Sequence, residues 1–435
     1  MMGLRHTQYH PIGLDIGHDN VKMIQLERSG ETLSVVAAAC APLPPEARSN
    51  PNARIALATS VIRQMFRDHP FRGRRAVVAL PREMVPIRYV RLPLMPAEQL
   101  DAAVRAEAKH ALPFNPAEAQ LEYLPVGQVR QGNESRQEVI LLAARNYDIT
   151  AFIETLGPSG IELAALDVEP CAMYRAIDRF VRRHDDEQDV HVLVDVGVQG
   201  SRVVIGKGRE ISFIKSIDIG GHHFQEAVSQ CLGITPDEAQ ALRRRLAKPA
   251  ENAVNPELPD ENDHVRQAAH DATRGVVEEL AREISRCLRY YSVTFRGQRP
   301  TRLRLIGGEA TDPQLLATLD KMLAIPAEVA RPLLSFDTTR MKATDQAGPQ
   351  AEWGLAVGLA LKSVTGTFGP RDGKPRDPLA PKLSLAPDTA GIPDLTGTLQ
   401  ATANVIQATA RNLDGPSARS ASAYRDAITR EVSHA

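Results

Sequence analysis

Cysteine is scarce in this 435-residue chain: Cys40, Cys171, Cys231 and Cys287 stand far apart, with no CxxC spacing. That excludes a disulfide framework and predicts reduced structural thiols. No apolar run approaches the ~20 residues that span a bilayer. The opening Met1-Met2-Gly3-Leu4-Arg5-His6 lacks the apolar core of a signal peptide. Nor is there an excess of one charge, since 52 basic residues face 53 acidic ones. A net charge of -1 gives no bulk attraction to nucleic acid or anionic lipid. The expectation is a cytoplasmic protein that binds no nucleic acid and makes no direct membrane insertion. With 43% hydrophobic and 24% charged residues the chain reads as globular. Its length allows two sizeable cores at ~100–200 residues each.

What is present is organised around Pro11–Leu26. Ile12, Leu14 and Ile16 alternate with smaller or polar residues, which predicts a strand carrying Asp15. Gly17 lets the chain reverse, and Val21–Leu26 alternates again, so the stretch is a β-hairpin. Such a turn aims backbone N–H groups at one point, which suits a phosphate, while the nearby carboxylate suits a hydrated divalent cation. One Asp-x-Gly hairpin says little by itself. His191–Ile205 repeats it, with Asp195-x-Gly197, a hydroxyl at Ser201 and a following strand. Two related hairpins suggest a duplicated architecture with a nucleotide clamped between the halves.

Along the chain, Thr32–Ala41 reads as a third strand, Asn52–Asp68 as an amphipathic helix and Arg74–Leu80 as a buried strand stopped by Pro81. Residues 82–160 break this pattern: Pro86–Leu92 is a strand, Ala97–Ala111 a helix opened by Pro96, and Glu138–Ala144 a strand, with polar connections around Gly127–Gln137. Leu163–Leu166 returns to the main sheet, Glu169–Phe180 is a linking helix and Arg182–Asp189 a charged connector. Glu210–Ile219 is a strand ending at Gly220-Gly221, followed by a short helix, Phe224–Leu232; His222 and His223 read as turn residues. Thr235–Lys248 opens with Thr-Pro-Asp-Glu, an N-cap with proline at the first helical position. Pro249–Asp263 is a loop and His264–Thr294 one long helix. Thr301–Ile306 is the last strand to reach the site, with the helix Asp312–Leu323 behind it. Ala351–Ser363 is a small-residue helix that packs back onto the first domain, being too short to span a membrane. From Thr365 onward the composition predicts disorder, with Ala421–Val432 able to fold on a partner.

The hairpin pair, followed by Ile306-Gly307-Gly308-Glu309-Ala310, resembles the phosphate 1, phosphate 2 and adenosine motifs of the actin/Hsp70/sugar-kinase superfamily. Within it the chain most resembles the PilM family, the cytoplasmic actin-like proteins of type IV pilus assembly. Four stretches carry that choice: Val85–Pro96, Leu166–Pro170, Ser216–Gly221 and Ala356–Lys362. The resemblance covers about residues 10–365. It implies an α/β fold: an actin-like (ribonuclease H-like, duplicated) two-domain ATPase fold with an inserted small α+β subdomain. The expected organisation is 10–81 and 161–189 in domain 1, with the subdomain at 82–160. Domain 2 follows at 190–350, then a helix at 351–364 and a tail at 365–435.

The resemblance also implies ATP or ADP with Mg²⁺. Asp15 and Asp195 would hold the metal, mostly through its waters. Gly17, Asn20, Gly197, Gly200, Gly220 and Gly221 would lie at the phosphates, with Lys22 and Ser201 touching them directly. Gly307 and Gly308 would pack adenine and ribose, with Glu283 and Arg286 lining the other side. Glu169 matches the acid that places metal-bound water in relatives, so it and Asp195 are the catalytic candidates. The alternative for Glu169 is a helix N-terminal charge answering the macrodipole.

The chain departs from the family at His18, Asp19 and Asn20, which stand where small hydroxyl residues are usual, and at Glu309, in place of a third glycine. Asp19 is expected to add negative charge near the phosphates, and any hydrolysis to be slow. The leading reading is a nucleotide-binding assembly scaffold; the alternatives are a small-molecule kinase of the same superfold and a nucleotide-free scaffold. By resemblance, the partner is a PilN-like bitopic inner-membrane protein. Its N-terminal tail would lie in a groove walled by Arg88–Leu92 and Leu100–Ala111, with Val104 and Ala108 on one face. An extended tail would add to an exposed strand edge. The other use of that face is internal packing or self-association, as in FtsA-type filaments.

Overall fold

The computed structural model describes residues 8–30, 32–48, 51–178, 188–247, 262–295, 299–341 and 349–362. Of the expected loop at 249–263 and connector at 182–189, residues 249–261 and 182–187 lie outside the described residues, as does the tail from 365; Asn262 and Asp263 already belong to the long helix that follows. In chain order the elements begin β1 (Gln8–Tyr9), β2 (Ile12–Ile16), β3 (Asn20–Ser29), β4 (Thr32–Pro42), α1 (Pro51–Asp68) and β5 (Arg75–Leu80). Next come β6 (Ile87–Pro93), α2 (Ala97–Ala111), β7 (Ala119–Gln131), β8 (Glu134–Arg145), α3 (Asn146–Leu156), β9 (Glu162–Val168) and α4 (Glu169–Asp178). The second half holds β10 (Val190–Val196), β11 (Ser201–Lys207), β12 (Glu210–Ile217), α5 (Gly221–Leu232), α6 (Pro236–Ala247) and α7 (Asn262–Phe295). It closes with β13 (Arg302–Ile306), α8 (Pro313–Leu323), β14 (Ala327–Val329) and α9 (Gly354–Ala360).

The duplication is explicit in the strand order. The second sheet runs β12-β11-β10-β13-β14. The first runs β4-β3-β2-β5-β9, with β1 continuing the line of β2 along β3. In each, the first three strands are antiparallel hairpins and the last two join in parallel. A parallel neighbour requires a crossover, and α1 provides it between β4 and β5. The strands are apolar on both faces because both are covered. On one side Ile12 and Leu14 of β2 meet Ile55, Ala58, Ile62 and Met65 of α1. On the other, α9 lies against β2 and α4. In the second lobe, Val192, Val194, Leu303 and Leu305 pack with Val277, Leu280 and Ile284 of α7. Each such side chain contributes about 1.5–3 kcal/mol.

The approach of α9 to β2 and α4 is backbone on backbone. A Cβ at Gly13 would stand 2.0 Å from the Ala356 carbonyl oxygen, and one at Gly358 only 1.7 Å from that of Ala172. A buried ion cluster pins the same helix: Asp167 meets Arg175 at 2.8 Å and Lys362 at 3.2 Å, and Arg175 also donates to the Gly358 carbonyl. No helix among the described residues is long and apolar enough to cross a membrane.

Between β5 and β9 lies a third sheet, β6-β8-β7, carrying α2 on one face. Here the structure corrects an expectation. Val104 and Ala108 do not line a groove; with Leu100 they pack into Val90, Leu92, Val139 and Leu141 as the subdomain's own core. The three-to-four spacing of α2 meant internal packing. A charge at Val104 therefore reports on the stability of the subdomain, not on partner binding. Arg88 remains exposed, and among the described residues β6 pairs only with β8, so its outer edge carries no described strand. Two subdomain elements go beyond the sequence reading. β7 forms a long hairpin with β8 where polar connections are expected, its register shifted between Pro125 and Gly127. α3 buries Ile149, Phe152 and Leu156 at helical spacing directly after β8. His222 and His223 are not turn residues but sit in the first turn of α5, where His223 Nδ1 accepts from Gly220 N.

Candidate functional site

Asp15 and Asp195 occupy equivalent places, near the ends of β2 and β10, beside the turn of each hairpin. The two turns meet at a cleft of about 430 Å³, a size typical of small-molecule sites. The cleft floor is acidic. Burial raises the Asp15 carboxyl above its usual range, with Glu169 adding to the effect and Lys22, 3.6 Å away, opposing it. Burial likewise pushes Asp195 up to about 7, against the pull of Arg202 and with the push of Glu169 and Asp15. Lys22 stays protonated: burial works against its charge, but Asp15, Asp195 and Glu352 outweigh it.

Glu169 opens α4 and forms an ion pair with Arg202 of β11. Arg202, buried beside Asp195, is a site residue that sequence reading missed; its only local signal is its place next to Ser201. Ser201 lines the cleft but donates its hydroxyl to the Ile219 carbonyl at 2.6 Å. Asn20, Gly17, Gly197 and Gly200 line the cleft as well, as do Gly307 and Gly308. Gly307 has φ +96, and a Cβ there would fall 2.5 Å from an Asp195 carboxylate oxygen. Only glycine lets the β13 turn come this close to the acid.

Four expected residues are absent from the cleft lining. Gly220 and Gly221 sit behind the second turn, their N–H groups donating to His223 Nδ1 and the Gly197 carbonyl. Glu283 and Arg286 pair with each other on the outer surface of α7, one residue off the buried stripe Leu280, Ile284 and Cys287. Their place is taken by Gln240, Arg243 and Arg244 of α6. The signal for these is the i, i+3, i+4 spacing after the Thr235 cap, where Thr235 and Glu238 bond each other's backbone. Arg243 holds Glu309 and Asp312, both at 2.7 Å, so the glutamate that replaces the third glycine has a defined partner.

Asp19 is a further correction. Its charge is not free to repel phosphate. One carboxylate oxygen accepts from Gln240 at 2.6 Å and lies 3.4 Å from Arg244, and the other lies 3.2 Å from Arg48. Arg48 in turn reaches Asp237 at 2.6 Å. The first hairpin turn is thus clasped to α6 of the second lobe. His18 beside it is held neutral, its pKa lowered to about 4 by burial and by the Arg54 and Arg82 cations.

Residues 13–364 match the family model described as "Type IV pilus assembly protein PilM". The chain belongs to the PilM family. A solved structure described as "PilM-PilN type IV pilus biogenesis complex" is 24% identical to it, with a TM-score of 0.64. The match covers 81% of this chain and 98% of that one. A second, the ethanolamine utilization protein EutJ from Carboxydothermus hydrogenoformans, is 14% identical with a TM-score of 0.47, over 81% of this chain and 89% of that one. The fold is that of the actin-like ATPases, and the PilM family places the chain among type IV pilus assembly proteins. The residues of the cleft fit a nucleotide with a divalent cation. Two withdrawn carboxylates ask for positive charge, and beside Gly308 a Cβ would meet nothing within 4 Å, leaving room at the β13 turn.

Proposed function

We propose that this chain is the cytoplasmic nucleotide-binding component of a type IV pilus assembly platform, peripheral to the inner membrane through a PilN-like partner. What carries the reading is the meeting of two equivalent Asp-x-Gly turns over a single acidic cleft. Asp15 and Asp195 would hold Mg²⁺ largely through water. The cation would supply charge neutralisation between the carboxylates and the phosphates. Lys22 and the turn backbones at Gly17, Gly197 and Gly200 face the phosphates, and Gly307 and Gly308 the adenosine. No group of three or more His, Cys, Asp or Glu side chains arranged to hold a metal occurs among the described residues. Metal and nucleotide would therefore enter together. Hydrolysis is no part of the proposal, because Glu169, the candidate base, is engaged by Arg202.

Calorimetric titration with ATP, with and without Mg²⁺, tests this reading. Binding is expected with Mg²⁺ and a loss of at least about tenfold without it. Asp15→Ala should lose binding under both conditions. Unchanged affinity in Asp15→Ala would sink the assignment.

The partner half of the proposal now rests on the free edge of β6. An extended, partly apolar tail adding to that edge gains main-chain hydrogen bonds. A peptide copying the partner's N-terminal tail should bind at micromolar affinity, and N-methylation of its backbone amides, which removes the donors a strand edge would use, should weaken it. Equal binding by the N-methylated and the unmodified peptide would move the contact elsewhere.

A further inference from the structure

The cleft wall formed by the first lobe carries a cation that the fold does not use. Arg54 of α1 is 4% exposed and lines the cleft, yet its Nε is buried without a hydrogen-bond partner. Among the described residues its one ion-pair partner is Glu83, at 3.9 Å, beyond hydrogen-bond range. Glu83 is itself shared with Arg82, at 3.4 Å, and its side chain is 42% exposed. Two guanidinium groups thus face the cleft with one half-solvated carboxylate between them. Arg202 leaves its Nε unbonded as well, but it, Arg175 and Arg243 each have a carboxylate within bonding distance. Arg175 bonds Asp167 and a carbonyl, Arg202 pairs with Glu169, and Arg243 holds two carboxylates. A buried guanidinium left short of partners is costly to a fold, and an incoming anion relieves that cost.

The position of Arg54 narrows the kind of anion. Gly307, Gly308 and Arg243 lie on the second-lobe side, next to Asp195 and Glu309. Arg54 lies on the opposite wall, with His18, Arg82 and Glu83. Arg82 reaches the second hairpin, its Nη1 being 2.6 Å from where a Cβ of Gly200 would be. A nucleotide with its base at Gly307–Gly308 and its phosphates between the two turns would point its far end toward this pair of arginines.

We propose that Arg54, with Arg82 beside it, receives the terminal phosphate of the nucleotide, so that the cleft prefers a nucleoside triphosphate to a diphosphate. This rests on the nucleotide reading above. A planar guanidinium can give two parallel N–H bonds to one phosphate, which lysine cannot match.

The test is titration of wild type, Arg54→Gln and Arg54→Lys with Mg-ATP and Mg-ADP, together with melting of each apo protein. Wild type should favour ATP by at least about tenfold. Arg54→Gln should lose that preference while keeping its ADP affinity within about twofold, and Arg54→Lys should fall between. Apo Arg54→Gln should melt at or above wild type, because an under-compensated buried charge has been removed. Equal weakening of ATP and ADP, an unchanged ATP preference, or a lower apo melting temperature would each overturn the assignment of Arg54. Binding of neither nucleotide by wild type would instead overturn the nucleotide reading on which it stands.

Discussion

Gly358→Ala should lower the melting temperature by on the order of 10 °C or prevent the first lobe from closing. The added methyl would stand 1.7 Å from the Ala172 carbonyl oxygen and 2.5 Å from its carbon. Neither atom belongs to a side chain that can rotate away. Relief requires α9 and α4 to part, and α9 is also seated on β2 at Gly13. Parting them would open contacts of Trp353, Ala356, Val357 and Ala360, all buried in one cluster with Ile24 and Leu26. Overpacking costs about 1–3 kcal/mol in ordinary cores and more where backbone must move. Gly275→Ala is the matched control: it is also helical, but nothing lies within 4 Å of its added Cβ. It should be neutral or stabilising by up to about 1 kcal/mol. Scanning fluorimetry of the two variants beside wild type decides the matter. Equal melting of Gly358→Ala and wild type would contradict the backbone contact.

Asp195→Asn should act in opposite directions on stability and on ligand binding. The folded protein holds the Asp195 proton up to about pH 7, whereas the usual carboxylate value is 3.8. Below the lower value both states are protonated, and the apo fold keeps the full contribution. Between the two values the unfolded chain ionises while the folded one does not, so stability falls as pH rises, and it levels off above about 7. Asparagine removes this slope. The apo variant should match wild type at pH 4 and melt on the order of 5 °C higher at pH 8. Asp15 is shifted in the same direction, so part of the slope remains. His18, whose pKa is lowered, contributes the opposite slope, but it is common to both proteins and cancels in the difference. Mg-ATP affinity should fall by on the order of 10–100-fold, since one of the two carboxylates facing the metal is lost. Parallel melting curves for variant and wild type across pH 4–8 would show that Asp195 does not carry this charge burden.

The local patterns in the sequence led directly to the architecture. Strand alternation around Asp15 and again around Asp195 gave both hairpins, and the duplicated strand order followed from them. The misses share one physical cause: periodicity shows that a face is apolar but not what covers it. Val104 and Ala108 form a proper helical stripe, yet their cover is β6 and β8 of the same subdomain. Glu283 and Arg286 fall on one side of a long amphipathic helix, but only the packed lobe shows that this side faces outward. Arg54 carried no signal, and Arg202 and Arg243 only the weak ones of a place beside Ser201 and of helical spacing after the Thr235 cap. Each is one of many arginines in the sequence, and its meaning comes from partners far away in the chain, such as Glu169 for Arg202 and Asp312 for Arg243. Asp19 was legible as a departure from the family, but its compensation comes from Arg48 further on in its own lobe and from Gln240 and Arg244 in the other lobe.

The seat of α9 also has a bearing on how the protein is made. The first lobe holds the earliest described strands, and its His10 ring bonds the Ala360 carbonyl at 3.2 Å. Its sheet therefore lacks one covering layer until residues 354–360 leave the ribosome. Every strand of the second lobe is synthesised before that moment. At ~5–20 residues per second, the wait between finishing α4 and supplying α9 is on the order of 10–40 s. Throughout it the β2 surface around Gly13 stays bare while the second lobe is free to mature. Birth order is thus inverted: the lobe that is started first is the one completed last.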